Sequence, residues 1–330
     1  MDFDALFAAL SRSHVLKTSP PEYAAGFVRA ATSVFRDTEI EAVLRNKFFV
    51  PEVSQFSADQ FLQAGAELSV AHHIKSLGVK SFETEKHVNP NNNTDVDVFF
   101  QLDALNIAIE VKCPVELPPP KDALIFKTAG RIPAYNETFT NLKNSIVEVH
   151  HDKTVELAKN KDNTMKDFLL SAQDKFSPNS GFDDLNLLLV AGGYFSQMQD
   201  WWSYLYSTEG LFTDQSFWPA EQYGLVDVVL LTNLKYWHSE ARHLHDWTLQ
   251  HTFILPCINP KRRQSATAES VVKGLSVFNH HLREFGDYTP RTEDPNVPRY
   301  ILNTTKLIGY VAEHLNEEER NRYFPTKPKQ

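Results

Sequence analysis

The sequence predicts an α/β fold: a mixed central β-sheet flanked by helices, with further helices at both ends. Three observations predict it. Apolar residues recur at helical spacing over residues 2–10 and 23–44, and again over 271–285 and 300–323. Between those ends the period shortens, giving strand-like runs at 82–88, 95–102, 107–113, 185–190, 226–232 and 252–255. Helical and strand-like runs are interleaved there, which layers helices on a sheet.

Taken in order, Ser19-Pro20-Pro21 breaks the N-terminal helical stretch. Residues 57–77 form a helix, with Ser57 or Asp59 as N-cap and Gly78 as its stop. Pro90-Asn91-Asn92-Asn93 is turn material. Asp95, Asp97, Phe99 and Gln101 then alternate with Val96, Val98, Phe100 and Leu102. After a four-residue turn, Asp103-Ala104-Leu105-Asn106, Ile107, Ile109 and Val111 alternate with Ala108, Glu110 and Lys112. Two alternating runs so joined predict a β-hairpin. Pro118-Pro119-Pro120 ends that unit, and a polar, helix-compatible stretch follows over 134–176. The aromatic segment holding Trp201, Trp202, Tyr204 and Tyr206 reads as core rather than as a base-stacking surface. No internal repeat or linker is visible, so the divisions are an N-terminal helical segment (1–50), a core (51–260) and a C-terminal helical extension (261–330).

Composition narrows the class. With 330 residues, 42% of them hydrophobic, the chain can bury a sizeable core. No apolar run approaches the roughly 20 residues of a membrane helix, and residues 1–20 lack a secretory signal. Cys113 and Cys257 are too few for a disulfide framework or a cysteine-rich zinc site. The expectation is a cytoplasmic protein without a membrane partner. A net charge of −9 counts mildly against reliance on phosphate contacts. Lys121, Lys127 and Arg131, and separately Lys261, Arg262 and Arg263, could supply basic patches locally or be ordinary loop charge.

Chemistry concentrates in the hairpin. Glu110 and Lys112 share a strand face, and Asp97 on the neighbouring strand can point the same way. Two carboxylates in mid-sheet are unfavourable unless compensated, and a divalent cation compensates them. On a solvated face, Glu and Lys merely keep a sheet soluble. Ala108 and Phe99 on this face argue against that. On the preceding helix, Glu67 falls in one stripe with Ala64, Val70, Ala71 and Ile74, an unusual place for a carboxylate without a partner. Asp95 remains an alternative to Asp97.

The run 94–100, with Asp97, followed by Ile109-Glu110-Val111-Lys112, resembles the PD-(D/E)xK, or restriction-endonuclease-like, nuclease superfamily. The resemblance covers about 50 residues, from near Glu67 to Lys112. The proline of the motif is absent, since Val96 precedes Asp97. By resemblance, Asp97, Glu110 and the Val111 carbonyl would hold Mg²⁺ or Mn²⁺, with Glu67 completing the shell and Lys112 serving the attacking water. The implied activity is phosphodiester hydrolysis in nucleic acid, DNA ahead of RNA and endonuclease ahead of exonuclease. Paired cutting of a duplex would favour a homodimer. The alternative is a catalytically inactive nuclease fold that binds nucleic acid or protein.

Other candidates are weaker. His72-His73, His150-His151, His280-His281 and His243-x-His245 lack any metal-site spacing, although His73 lies near the Glu67 face. Gly192-Gly193 lacks a phosphate-loop pattern, and Cys113 has no evident histidine partner.

Overall fold

The computed structural model describes residues 3–48, 57–115, 123–126, 154–157, 162–179, 183–193, 195–263, 266–289 and 299–324, with positions 140, 141, 144, 145, 148, 181 and 296. Lys121, Lys127, Arg131, His150 and His151 lie outside them. The strands are β1 (Lys80–Lys86), β2 (Val96–Leu102), β3 (Leu105–Lys112), β4 (Ala123–Phe126), β5 (Thr154–Leu157), β6 (Asp184–Ala191), β7 (Val228–Thr232) and β8 (Ile254–Ile258). Six form one mixed sheet in the order β1-β2-β3-β6-β7-β8, while β4 and β5 pair separately in parallel.

Hydrophobic pattern explains the order. The central strands β6 and β7 are buried along their apolar runs, as expected of parallel strands covered on both faces. Strand β1 takes an edge, where Lys80, Glu83, Glu85 and Lys86 discourage further pairing. Strands β3, β6 and β7 run parallel, so Lys112, Ala191 and Thr232 all lie at carboxyl ends. Open α/β sheets bind ligands at that edge.

Helices cover both faces. In chain order they are α1 (Phe3–Ala9), α2 (Val15–Thr18), α3 (Pro21–Val34), α4 (Ile40–Val43), α5 (Ala58–Ser76), α6 (Asp162–Lys175), α7 (Phe195–Tyr206), α8 (Leu234–Ser239), α9 (Ala268–Leu275), α10 (Leu282–Asp287), α11 (Arg299–His314) and α12 (Glu317–Tyr323). Val98, Phe100, Ile107, Ile109 and Val111 share one apolar cluster with α3, α5 and α9. Ala108, Leu188, Val190 and Val229 share the other with α6, α7 and α11. Ser57 caps α5 by accepting from Gln60 N, and Gly78 follows its end at φ 68, a left-handed angle that glycine tolerates.

Two expectations need correction. The hairpin turn is two residues, not four: Leu102 pairs with Leu105, and Asp103 turns the chain at φ 52. Leu105 is buried, so extending β3 back to it gains apolar contact that a longer turn would forfeit. Within 134–176, residues 154–157 form strand β5 rather than helix, because Val155 and Leu157 belong to a ladder with β4. The described positions 140, 141, 144, 145 and 148 and the segment Asp162–Lys175 are helical. Trp201, Trp202 and Tyr204 are buried core residues, and the Trp202 indole donates to Asn303 O (2.6 Å), fastening α11 to α7. Among the described residues, no helix is long and apolar enough to cross a membrane.

Candidate functional site

The register of β2 and β3 pairs Val98 with Ile109 and Phe99 with Ala108; continued by one residue, it sets Asp97 opposite Glu110. At that end the ladder gives way to a side chain: Asp97 Oδ2 accepts from Val111 N at 2.7 Å. Asp95 lies beyond it, half-exposed and 3.3 Å from His87 Nδ1. The structure therefore sets Asp97, not Asp95, beside the Glu110–Lys112 strand.

Glu110 is 1% exposed, and its Oε1 meets two ammonium groups, Lys112 Nζ at 2.7 Å and Lys175 Nζ at 2.8 Å. Lys175 is the last residue of α6, so it approaches from the helix layer over the Ala108 face. Glu110 Oε2 is buried and has no hydrogen-bond partner among the described residues.

Glu67 approaches the carboxylates from α5. Helix α5 covers the Ile109–Val111 face, opposite to the face that carries Glu110. Glu67 instead meets Asp97 around the splayed end of the hairpin, where both line a cavity of about 20 Å³ together with Lys47, Thr84 and Glu85. That is room for about one water-sized particle. Lys47 lies in the π-helical turn Leu44–Phe48 and bridges Glu67 Oε2 (3.0 Å) and Glu85 Oε1 (2.7 Å). Burial lowers the pKa of its ammonium, but Glu67 and Glu85 outweigh burial and hold it above the ordinary value.

Gln63, one turn before Glu67, orders this end of the sheet. Its amide nitrogen donates to Glu67 Oε1 (2.8 Å) and to Val111 O (2.9 Å), and its oxygen accepts from Cys113 N (2.6 Å). The Val111 carbonyl, expected as an ion ligand, thus already accepts one hydrogen bond. Its second lone pair is all it has left to offer.

The carboxylates repel one another. Burial first, then the charges of Glu67 and Glu110, push the Asp97 pKa well above the usual carboxylate range, against Lys175 and the Val111 N–H. Burial and neighbouring negative charge both favour its protonated form. An oxygen-only donor set with one orphaned buried oxygen suits a hard divalent cation such as Mg²⁺ or Mn²⁺. The fit lies in donor chemistry rather than in finished geometry. Among the described residues no three His, Cys, Asp or Glu side chains converge as an ion-holding group.

Sequence reasoning missed Gln63, Lys47 and Lys175. Gln63 carried a signal, since it stands i−4 from Glu67 on the same helix face. Lys47 and Lys175 carried none, because tertiary packing brings them in from distant segments. The described histidines singled out from the sequence do not join the site. His73 Nε2 bonds Val277 O (3.0 Å) and its ring stacks on Phe278, while His72 bonds Ser33 Oγ (2.7 Å). His238 and His245 form a separate buried network, with Nε2 atoms 3.2 Å apart. The basic run is spent structurally: Lys261 pairs with Asp214, Arg262 bonds Asn259 O and Arg263 bonds Pro178 O. Burial pushes the Cys113 thiol up to about 12, which makes it a poor nucleophile. The chain matches no family model, no curated protein and no solved structure.

Proposed function

We propose that this chain is a metal-dependent nuclease of the PD-(D/E)xK type that hydrolyses phosphodiester bonds in nucleic acid, with DNA the preferred substrate. The observation that carries the reading is Glu110. It is a buried carboxylate with one orphaned oxygen, opposite a charge-stressed Asp97 and 2.7 Å from Lys112. A divalent cation bound there supplies Lewis-acid polarisation of the phosphate and a water acidic enough to attack near neutral pH. Asp97 and Glu110 would hold it, and Glu67 would act through the cavity it shares with Asp97. Lys112 orients the attacking water and offsets charge on the phosphorane-like transition state. The water oxygen bonds to phosphorus as the bond to the leaving oxygen breaks; the water gives up a proton to solvent, and the leaving oxygen takes one from solvent to become a hydroxyl. On this reading α5, the β1–β3 meander and β6 make up a restriction-endonuclease-like core.

Supercoiled plasmid and single-stranded DNA, incubated with and without Mg²⁺, test this. Wild type should nick or cut only with the ion, and Lys112→Ala should lose at least about 10²-fold in rate. Cleavage that survives chelation, or that Lys112→Ala leaves intact, overturns the reading. One observation favours a second reading, a nuclease fold that binds without turnover: Glu110 Oε1 is already paired with two lysines. In that case DNA is retarded in a mobility shift and never cut.

A further inference from the structure

We propose that Lys175 is a built-in counter-cation of the carboxylate cluster, a resident ammonium with which a divalent ion has to compete. The competition rests on the metal reading above, whereas the counter-cation role does not.

Glu110 needs one partner and has it in Lys112; Lys175 brings a second ammonium to the same oxygen, at 2.8 Å. That duplication makes sense if the second charge serves the neighbours as well. The charges of Asp97 and Glu67 act on Lys175 in addition to that of Glu110. With Lys112 on Glu110 and Lys47 on Glu67, Lys175 is the further cation that also acts on Asp97.

The placement is built into the fold. Lys175 closes α6, where the helix dipole favours a cation. Ala172 and Phe176 on either side of it are fully buried, which fixes where the side chain starts. The carbonyl of Asp174 accepts from Asn89 Nδ2 (2.6 Å) and from the Asn92 amide. Both asparagines belong to the loop that leads into β2 and Asp97. The end of α6 is therefore tied to the same segment that positions the carboxylate its lysine neutralises.

An ammonium and a divalent ion drawn to the same charges exclude one another. Removing the ammonium should loosen the fold yet tighten ion binding. A purely structural lysine would give the first effect without the second.

The test uses the full chain. Mn²⁺ affinity is measured by titration calorimetry for wild type, Lys175→Met and Lys175→Arg. Thermal unfolding without added metal is measured for Lys175→Met, Glu110→Gln and the double variant. Lys175→Met should bind Mn²⁺ at least about five-fold more tightly, with Lys175→Arg close to wild type. The Tm loss of the double variant should be smaller than the sum of the single losses. Should Lys175→Met not fold, Lys175→Gln replaces it. Mn²⁺ affinity that is unchanged or weaker in the variant overturns the competition and leaves the nuclease reading standing. If no form binds Mn²⁺ but the Tm losses are non-additive, the nuclease reading falls and the counter-cation stands. If no form binds and the losses add, both fall.

Discussion

Acidification should reveal buried groups that act in opposite directions, two histidines against one aspartate. His238 and His245 lie between α3, α5 and the β7–β8 connection. His238 Nδ1 meets Tyr23 OH at 2.8 Å, and Ser69 Oγ lies 3.0 Å from His238 Nε2 and 3.3 Å from His245 Nε2. Burial above all lowers the His245 pKa to about 3, from 6.5 when solvated. The unfolded chain therefore takes up the proton first, and stability is lost as pH falls from 6.5 towards 3. Between pH 7 and pH 5 this amounts to about 2 kcal/mol for His245 at 1.36 kcal/mol per pKa unit. His238, lowered in the same direction by burial and His245, adds to it. Asp227 opposes them. Burial raises its carboxyl from 3.8 to about 7, against the Asn186 N–H that its Oδ2 accepts. Its folded form keeps the proton longer than the unfolded one, so stability is gained on acidification over the same window, again about 2 kcal/mol. A flat wild-type profile would therefore prove nothing. The assay is urea unfolding at pH 7 and pH 5 for wild type, His245→Gln and Asp227→Asn. Relative to wild type, His245→Gln should gain about 2 kcal/mol on going to pH 5, and Asp227→Asn should lose a similar amount. Profiles for all three proteins that run parallel within about 0.5 kcal/mol would refute the burial argument for both groups.

Three further outcomes follow from the geometry. Glu110→Gln should destabilise by about 2 kcal/mol in denaturant titration, below the figure for a fully buried pair because Lys112 and Lys175, each 21% exposed, can turn to water; a gain in stability would contradict the ion-pair account. Lys112→Ala should change stability by no more than about 1 kcal/mol while lowering the proposed cleavage at least about 10²-fold, which would separate the proposed chemical role from a structural one. In Gly274→Ala the new Cβ would lie 2.2 Å from Leu185 Cδ2, so overpacking of about 1–3 kcal/mol should exceed the roughly 1 kcal/mol that alanine gains in a helix, and a calorimetric Tm above wild type would show that Leu185 yields easily.

Residues 107–112 were legible because a half-apolar strand alternates with period two, and that pattern survives any tertiary context. The α5 boundaries were legible for a similar reason, since Ser57 and Gly78 act through the backbone beside them. The hairpin turn was misjudged because its length depends on whether Leu105 is buried, which neighbouring layers decide. Residues 154–157 were misjudged because a short polar-apolar run acquires its state from the strand it pairs with.

At the candidate site the division is sharper. The sequence by itself determined that Asp97, Glu110 and Lys112 lie near one end of a hairpin and that Glu67 follows Gln63 by one helical turn. Only the tertiary structure decided that Glu67 reaches Asp97 around the hairpin end rather than Glu110 across its face. Likewise, only packing brought Lys47 and Lys175 to the carboxylates, from segments with no periodic relation to them. Backbone geometry fixes neighbours within a few residues, whereas charges distant in sequence meet only where apolar layers dock the elements that carry them.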